Sequence, residues 1–127
     1  MISRFNFGVV GGLGPFSDAS MGSTPQLWLS TSGFPGYDAE GKLSPSFEVQ
    51  ADWCWQHVLR ALAAADMTVH DIVRVTHYLV RRDDLPLYRP IRDRFLGTAR
   101  PSSMTMFVAG LPTPDMLVEV MIDAARS

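Results

Sequence analysis

Between Phe47 and Val80 the spacing of apolar residues changes period once, and that change restricts the fold more than any other feature of the sequence. Phe47, Ala51, Cys54, Val58, Ala61 or Leu62, and Ala65 recur at steps of three and four, which marks one face of an α-helix over about 46–65. Ser46, after Pro45, is placed to cap its N-terminus. The following stretch, "DIVRVTHYLV", is rich in β-branched residues and alternates, with Val73, Val75, His77 and Leu79 on one face and Arg74, Thr76 and Tyr78 on the other. A long amphipathic helix leading directly into a half-apolar strand must lie against a sheet to bury its stripe.

The remaining segments fit that frame. Phe5, Phe7 and Val9 alternate as a first strand, and "VGGLGPF" supplies turn chemistry. Gln26 to Gly33 reads as a second strand, ended by "GFPGYDAEGK". A second helix is predicted after Asp84, its expected cap, with Tyr88, Ile91 and Phe95 on one face and Pro86 in its first turn; Pro90 argues for an irregularity or a later start. "SMTMFVA" and "MLVEVMIDA" read as two further strands joined by "GLPTPD", a connection of hairpin length. The order β-β-α-β-α-β-β describes an α+β fold, a mostly antiparallel sheet with two helices on one face. In the last strand Val118, Val120 and Ile122 form a wholly apolar face, and Leu117, Glu119, Met121 and Asp123 a mixed one. If the first packs under the helices, the second is left bare, which predicts self-association.

At 127 residues one domain over 1–127 is expected. A net charge of −2 gives no global field for nucleic acid or an anionic membrane, and no apolar run approaches the ~20 residues of a membrane helix. With Cys54 alone, neither an intrachain disulfide nor a cysteine zinc site is available, and a reducing, cytoplasmic setting is expected. No secretory signal is read at the N-terminus, and no histidine and carboxylate set has metal-site spacing, so no metal or other cofactor is expected. The glycines of "GVVGGLG" lack the GxxxxGK[ST] pattern of a phosphate loop. Trp53 and Trp55 read as packing residues, Cys54 as an inert small hydrophobe, and His57 and His77 as core or interface hydrogen bonders.

Several strings, taken in order, are similar to the Rid/YjgF family, the reactive intermediate deaminases: "GPFSDA", "STSGFP", "GKL", "EVQADWCWQHVLRALAAADMTVHDIVRVTHYLV", "RPSS" and "LPTPDMLVEV". The resemblance runs from about Gly14 to Ala124 and implies a chorismate-mutase-like fold, a barrel-like homotrimer and ligand clefts between subunits. It also implies hydrolysis of reactive enamines or imines to carbonyl compounds and ammonia, with an arginine gripping a substrate carboxylate and a glutamate directing water.

Set against that pattern, Glu119 takes the place of the water-directing glutamate, whereas the arginine position carries Ser103, a neutral donor. Arg92, where the family commonly has a helix tyrosine, and Arg100 are the candidates to supply the missing guanidinium. Phe16 replaces the tyrosine of the family's "GPYS", Phe34 the glutamine of its "SGQ", and the Gly33 backbone is expected to help hold substrate. These changes point away from small carboxylates and to a cleft retuned to a larger or uncharged small molecule. A non-catalytic trimer that binds a metabolite or a partner is the alternative. Ribonuclease activity, ascribed to some relatives, has only the arginine cluster between positions 74 and 100 behind it, and nucleic acid is not the expected partner.

Overall fold

A computed structural model describes residues 2–9, 11–24 and 27–127. Its elements are β1 (Ile2–Phe5), β2 (Ala19–Gly22), β3 (Leu27–Ser30), β4 (Phe34–Pro35), α1 (Phe47–Ala64), β5 (Ile72–Leu79), α2 (Leu85–Leu96), β6 (Ser102–Phe107) and β7 (Val118–Arg126). Strands β1 and β2 form an antiparallel pair of their own. The main sheet runs β3-β7-β5-β6, with β4 also on β7. All its pairings are antiparallel except β5 with β6, which is parallel.

Helix α1 forms as its period predicts. Ser46 accepts from the Val49 amide at 3.3 Å, a cap typically worth ~1 kcal/mol. Its buried stripe is Phe47, Gln50, Ala51, Cys54, Trp55, Val58 and Leu62. That stripe meets the Val118, Val120 and Ile122 face of β7, so the apolar face does lie under the helices. Gln50 is the polar exception: its amide donates to the carbonyls of Ser44 (2.8 Å) and Asp115 (2.9 Å) and accepts from the Leu117 amide (2.9 Å). These three bonds pin both flanking loops to the helix.

Other sequence expectations give way to local physics. The first strand ends at Phe5, and Phe7 and Val9 are exposed in the turn beyond it. A strand start at Gln26 lies outside the described residues. In β5 a bulge between Ile72 and Arg74 puts Ile72 in the core in place of Val73. Asp84 does not cap α2 with its side chain, because both carboxylate oxygens accept from Arg81 (2.7 and 3.0 Å). Pro90 sits inside α2 without ending it. Strands β6 and β7 are not a hairpin; β5 lies between them.

Candidate functional site

The parallel pairing of β6 with β5 decides what surrounds Ser103. Register sets Ser103 beside Val75 and Thr105 beside His77, so both hydroxyls share the helix-side face of the sheet. Helix α2 crosses above this edge and contributes Leu85, Arg89 and Arg92, while the loop before β2 contributes Leu13 and Phe16. Together they enclose a cleft of about 250 Å³. Phe16 is held there by its neighbour: the Ser17 amide donates to the Pro101 carbonyl (3.1 Å) and its hydroxyl to the Arg100 carbonyl (2.5 Å).

Arg92 is the cleft's buried cation, 3% exposed. Its guanidinium carbon lies 4.7 Å from the centroid of the Phe16 ring, and its Nε–H donates to Asp93 at 2.8 Å. Among the described residues that is the only hydrogen bond Arg92 makes, which leaves its terminal nitrogens for a ligand. Among the described residues no carboxylate lines the cleft, so two guanidiniums and two hydroxyls face apolar walls from Leu13, Phe16 and Leu85. Such a set suits an anionic group carried on a small apolar body.

Behind Ser103 a buried polar chain runs into the core. Ser103 Oγ is 2.9 Å from His77 Nε2, His77 Nδ1 is hydrogen-bonded to the Tyr88 hydroxyl, and Trp55 Nε1–H donates to that hydroxyl at 3.1 Å. Burial, and then the nearby Arg92 charge, push the His77 imidazole down to about 3, so it is neutral at ordinary pH. Burial pushes the Tyr88 phenol well up.

The other residues singled out from sequence stand elsewhere. Glu119 is half-buried on β7, paired with Tyr78 on the sheet face that the helices leave bare, so it and Ser103 occupy opposite faces of the protomer's sheet. Gly33 lies against it: a β-carbon there would stand 2.8 Å from the Glu119 carboxyl carbon. Phe34 turns to the helix side, against His57 (ring centroids 5.9 Å apart), where it lines a separate hollow of about 460 Å³ with Tyr37 and Arg60. Arg100 is exposed and donates to the Gly97 and Ala99 carbonyls just beyond α2. Of the proposed ligand-holding residues, Phe16, Arg92 and Ser103 therefore converge within one protomer, whereas Gly33, Phe34 and Arg100 stand elsewhere on that same protomer.

Sequence reasoning did not single out Arg89, Thr105, Leu13 or Leu85, and read His77 only as a hydrogen bonder. Alternation in β5 put His77 on the core face, but its link to Ser103 depends on β6 lying parallel beside β5. Among the described residues no group of three or more His, Cys, Asp or Glu side chains could hold a metal ion, and no helix is long and apolar enough to cross a membrane.

Comparison with known proteins gives one consistent picture. The family model described as "Endoribonuclease L-PSP" matches residues 11–126. Among solved structures, the chain is similar to YyfB of Yersinia pestis, described as a protein of unknown function of the conserved Rid family, at 21% identity over 98% of both chains and a TM-score of 0.84. It is similar to Escherichia coli TdcF, solved with bound serine, at 22% identity over 98% of this chain and 94% of that one (TM-score 0.74). RidA from an Antarctic Psychrobacter matches at 22% identity, covering 96% and 94% (TM-score 0.73).

Proposed function

The chain belongs to the Rid/YjgF family, and on that premise we propose that it hydrolyses a reactive enamine or imine bearing an anionic group to a carbonyl compound and ammonia. The observation that carries this reading is the buried Arg92 guanidinium facing a cleft floored by Ser103 and walled by Phe16. A guanidinium brought from α2 does for a carboxylate what a neutral serine on β6 cannot, because two parallel charge-assisted bonds fix both oxygens. In this proposal Arg92 anchors the acid, Arg89 adds attraction at the mouth, and Phe16 packs against the carbon skeleton. Ammonia is lost when water adds to the C=N carbon and the resulting C–N bond breaks.

Glu119 is proposed to direct that water. Since it lies on the opposite sheet face from Ser103 within one protomer, it can meet a substrate at Arg92 only if a neighbouring copy supplies it. A homotrimer, as in the family resemblance, would do so. The exposed Trp28, Met104 and Met21, apolar and otherwise uncovered, support association. The buried free thiol of Cys54 suits a reducing, cytoplasmic setting.

Ammonia release from enzymatically generated 2-iminopropanoate, and from a bulkier analogue, tests the reading. Arg92→Ala is expected to lower kcat/KM roughly ten- to hundredfold, the worth of one charge-assisted contact, and Glu119→Gln to abolish turnover. Refolding an equal mixture of these two variants separates the geometries. If each cleft joins Arg92 of one copy to Glu119 of the next, roughly one cleft in four regains both intact groups; if both come from one copy, none does. The separation of Glu119 from Ser103 also favours a second reading, a binding module without catalysis. Saturable binding of the 2-oxo acid pyruvate, with no ammonia release from any imine, would select it.

A further inference from the structure

We propose that His77 is a positioning residue, fixed by Tyr88 and Trp55 as the Nε2–H tautomer, so that it donates to Ser103 Oγ and turns the serine's own O–H into the cleft as a donor to the ligand. Hydrogen-bond accounting carries the assignment. Trp55 Nε1–H can only donate, and its acceptor is the Tyr88 oxygen. Tyr88 is fully buried, and its hydroxyl hydrogen has one acceptor among the described residues, His77 Nδ1. With Nδ1 accepting, the ring proton of a neutral imidazole sits on Nε2, where it meets Ser103 Oγ at 2.9 Å.

The opposite tautomer fails on the same count. If Nδ1 carried the proton, the Tyr88 oxygen would accept twice and its own hydrogen would be left buried without a partner, which typically costs ~1–3 kcal/mol. A cationic ring would add a buried charge near Arg92. The direction of the chain is therefore Trp55 to Tyr88 to His77 to Ser103, each donor polarising the next.

This direction separates the pair from a hydrolytic serine and histidine. A nucleophilic serine must give its proton to the imidazole, but Nε2 is already protonated and its lone pair is not available. Ser103 is instead a neutral, oriented donor beside the Arg92 cation, and it selects ligands that present an acceptor atom next to the group Arg92 binds, as a carboxylate or an adjoining carbonyl does. The ligand half of this inference rests on the function proposed above; the tautomer half does not.

The test begins with long-range proton–nitrogen NMR correlation on protein carrying nitrogen-15 histidine, the His77 signals being assigned by their loss in His77→Gln. A neutral ring protonated at Nε2 is expected from mildly acidic to mildly basic pH; protonation at Nδ1, or on both nitrogens, overturns the proposal whatever the cleft binds. Pyruvate titration tests the consequence. Ser103→Ala and His77→Leu are each expected to weaken pyruvate binding about five- to tenfold, and His77→Gln, whose amide N–H stands near the position of Nε2–H, to restore most of it. Ser103→Ala without effect while Arg92→Ala abolishes binding overturns the donor role and leaves the cleft standing. Failure of the wild-type protein to bind pyruvate counts against the proposed function instead, and the tautomer then decides this inference alone. Covalent labelling of Ser103 by a fluorophosphonate would also overturn it.

Discussion

Acidification should unfold this protein in part through one residue. His77 is fully buried, and its imidazole is held at about 3 by burial and the Arg92 charge, against ~6.5 for an unfolded histidine. Between those values the unfolded chain binds a proton that the folded chain refuses, so stability is whole above about pH 6.5 and falls as pH drops toward 3. Integrating the linkage relation gives a loss of about 0.8 kcal/mol by pH 6 and about 2 kcal/mol by pH 5, approaching ~1.4 kcal/mol per pH unit. Urea unfolding at fixed protein concentration, followed by tryptophan fluorescence from about pH 8 to pH 5, measures this loss in wild type and in His77→Gln. The variant is expected to be less stable at every pH, so the informative quantity is the difference between the two slopes. Parallel slopes would refute the reasoning, because they would mean that His77 protonates in the folded state as readily as in the unfolded one.

Three further outcomes follow from the packing. Gly36→Ala places a methyl group 2.3 Å from the Gln50 carbonyl oxygen on α1, a backbone clash that no side chain can relieve; a loss of at least ~3 kcal/mol in urea unfolding, or insoluble expression, is expected. Gln50→Leu removes the buried amide that ties the loop carbonyls of Ser44 and Asp115 and the loop amide of Leu117 to α1 through part-buried bonds; a loss of ~1–3 kcal/mol is expected by the same measurement, and no loss would show that water replaces all three bonds. Cys54, fully buried, has its thiol held well above the ordinary range by burial and then by the Glu119 charge. Its labelling by a disulfide reagent should proceed only as fast as the protein unfolds, and rapid labelling of native protein would contradict that burial.

Much of the fold was legible because it is written in local periods. The helix stripe from Phe47 to Leu62, the capping Ser46 and the apolar face of β7 each follow from spacing along a single segment. What escaped depends on relations between distant segments. Alternation places Ser103, Thr105 and His77 each on one face of its strand, but not β6 beside β5 rather than beside β7, and that choice determines whether Ser103 meets His77. The Asp84 cap failed for a similar reason, since Arg81 competes for both carboxylate oxygens. Of the two candidate arginines, Arg100 bonds to the Gly97 and Ala99 carbonyls of the loop that follows α2, whereas Arg92 is buried over Phe16. Sequence position could not distinguish them, because the loop carrying Phe16 is remote in the chain.

These relations also change what restoring the family's arginine should do. Ser103 is bonded to His77 and shares its cleft with Arg92, so Ser103→Arg would add a second guanidinium where one already stands. Two cations within about 6 Å in a partly buried site repel by roughly 3 kcal/mol at an effective dielectric near 20, and the hydrogen bond to His77 would be lost as well. The single variant is therefore expected to be less stable and to gain no activity toward 2-iminopropanoate. Arg92→Tyr alone should lose it, since the cleft keeps only the more exposed Arg89. Combined, the two substitutions reproduce the family's arrangement of a strand arginine and a helix tyrosine, and should recover stability and turnover together. A coupling energy of at least ~1 kcal/mol in the double-mutant cycle is expected. Strictly additive losses would show that the residues at 92 and 103 do not share one ligand, and the anchoring role assigned to Arg92 would fall with that result.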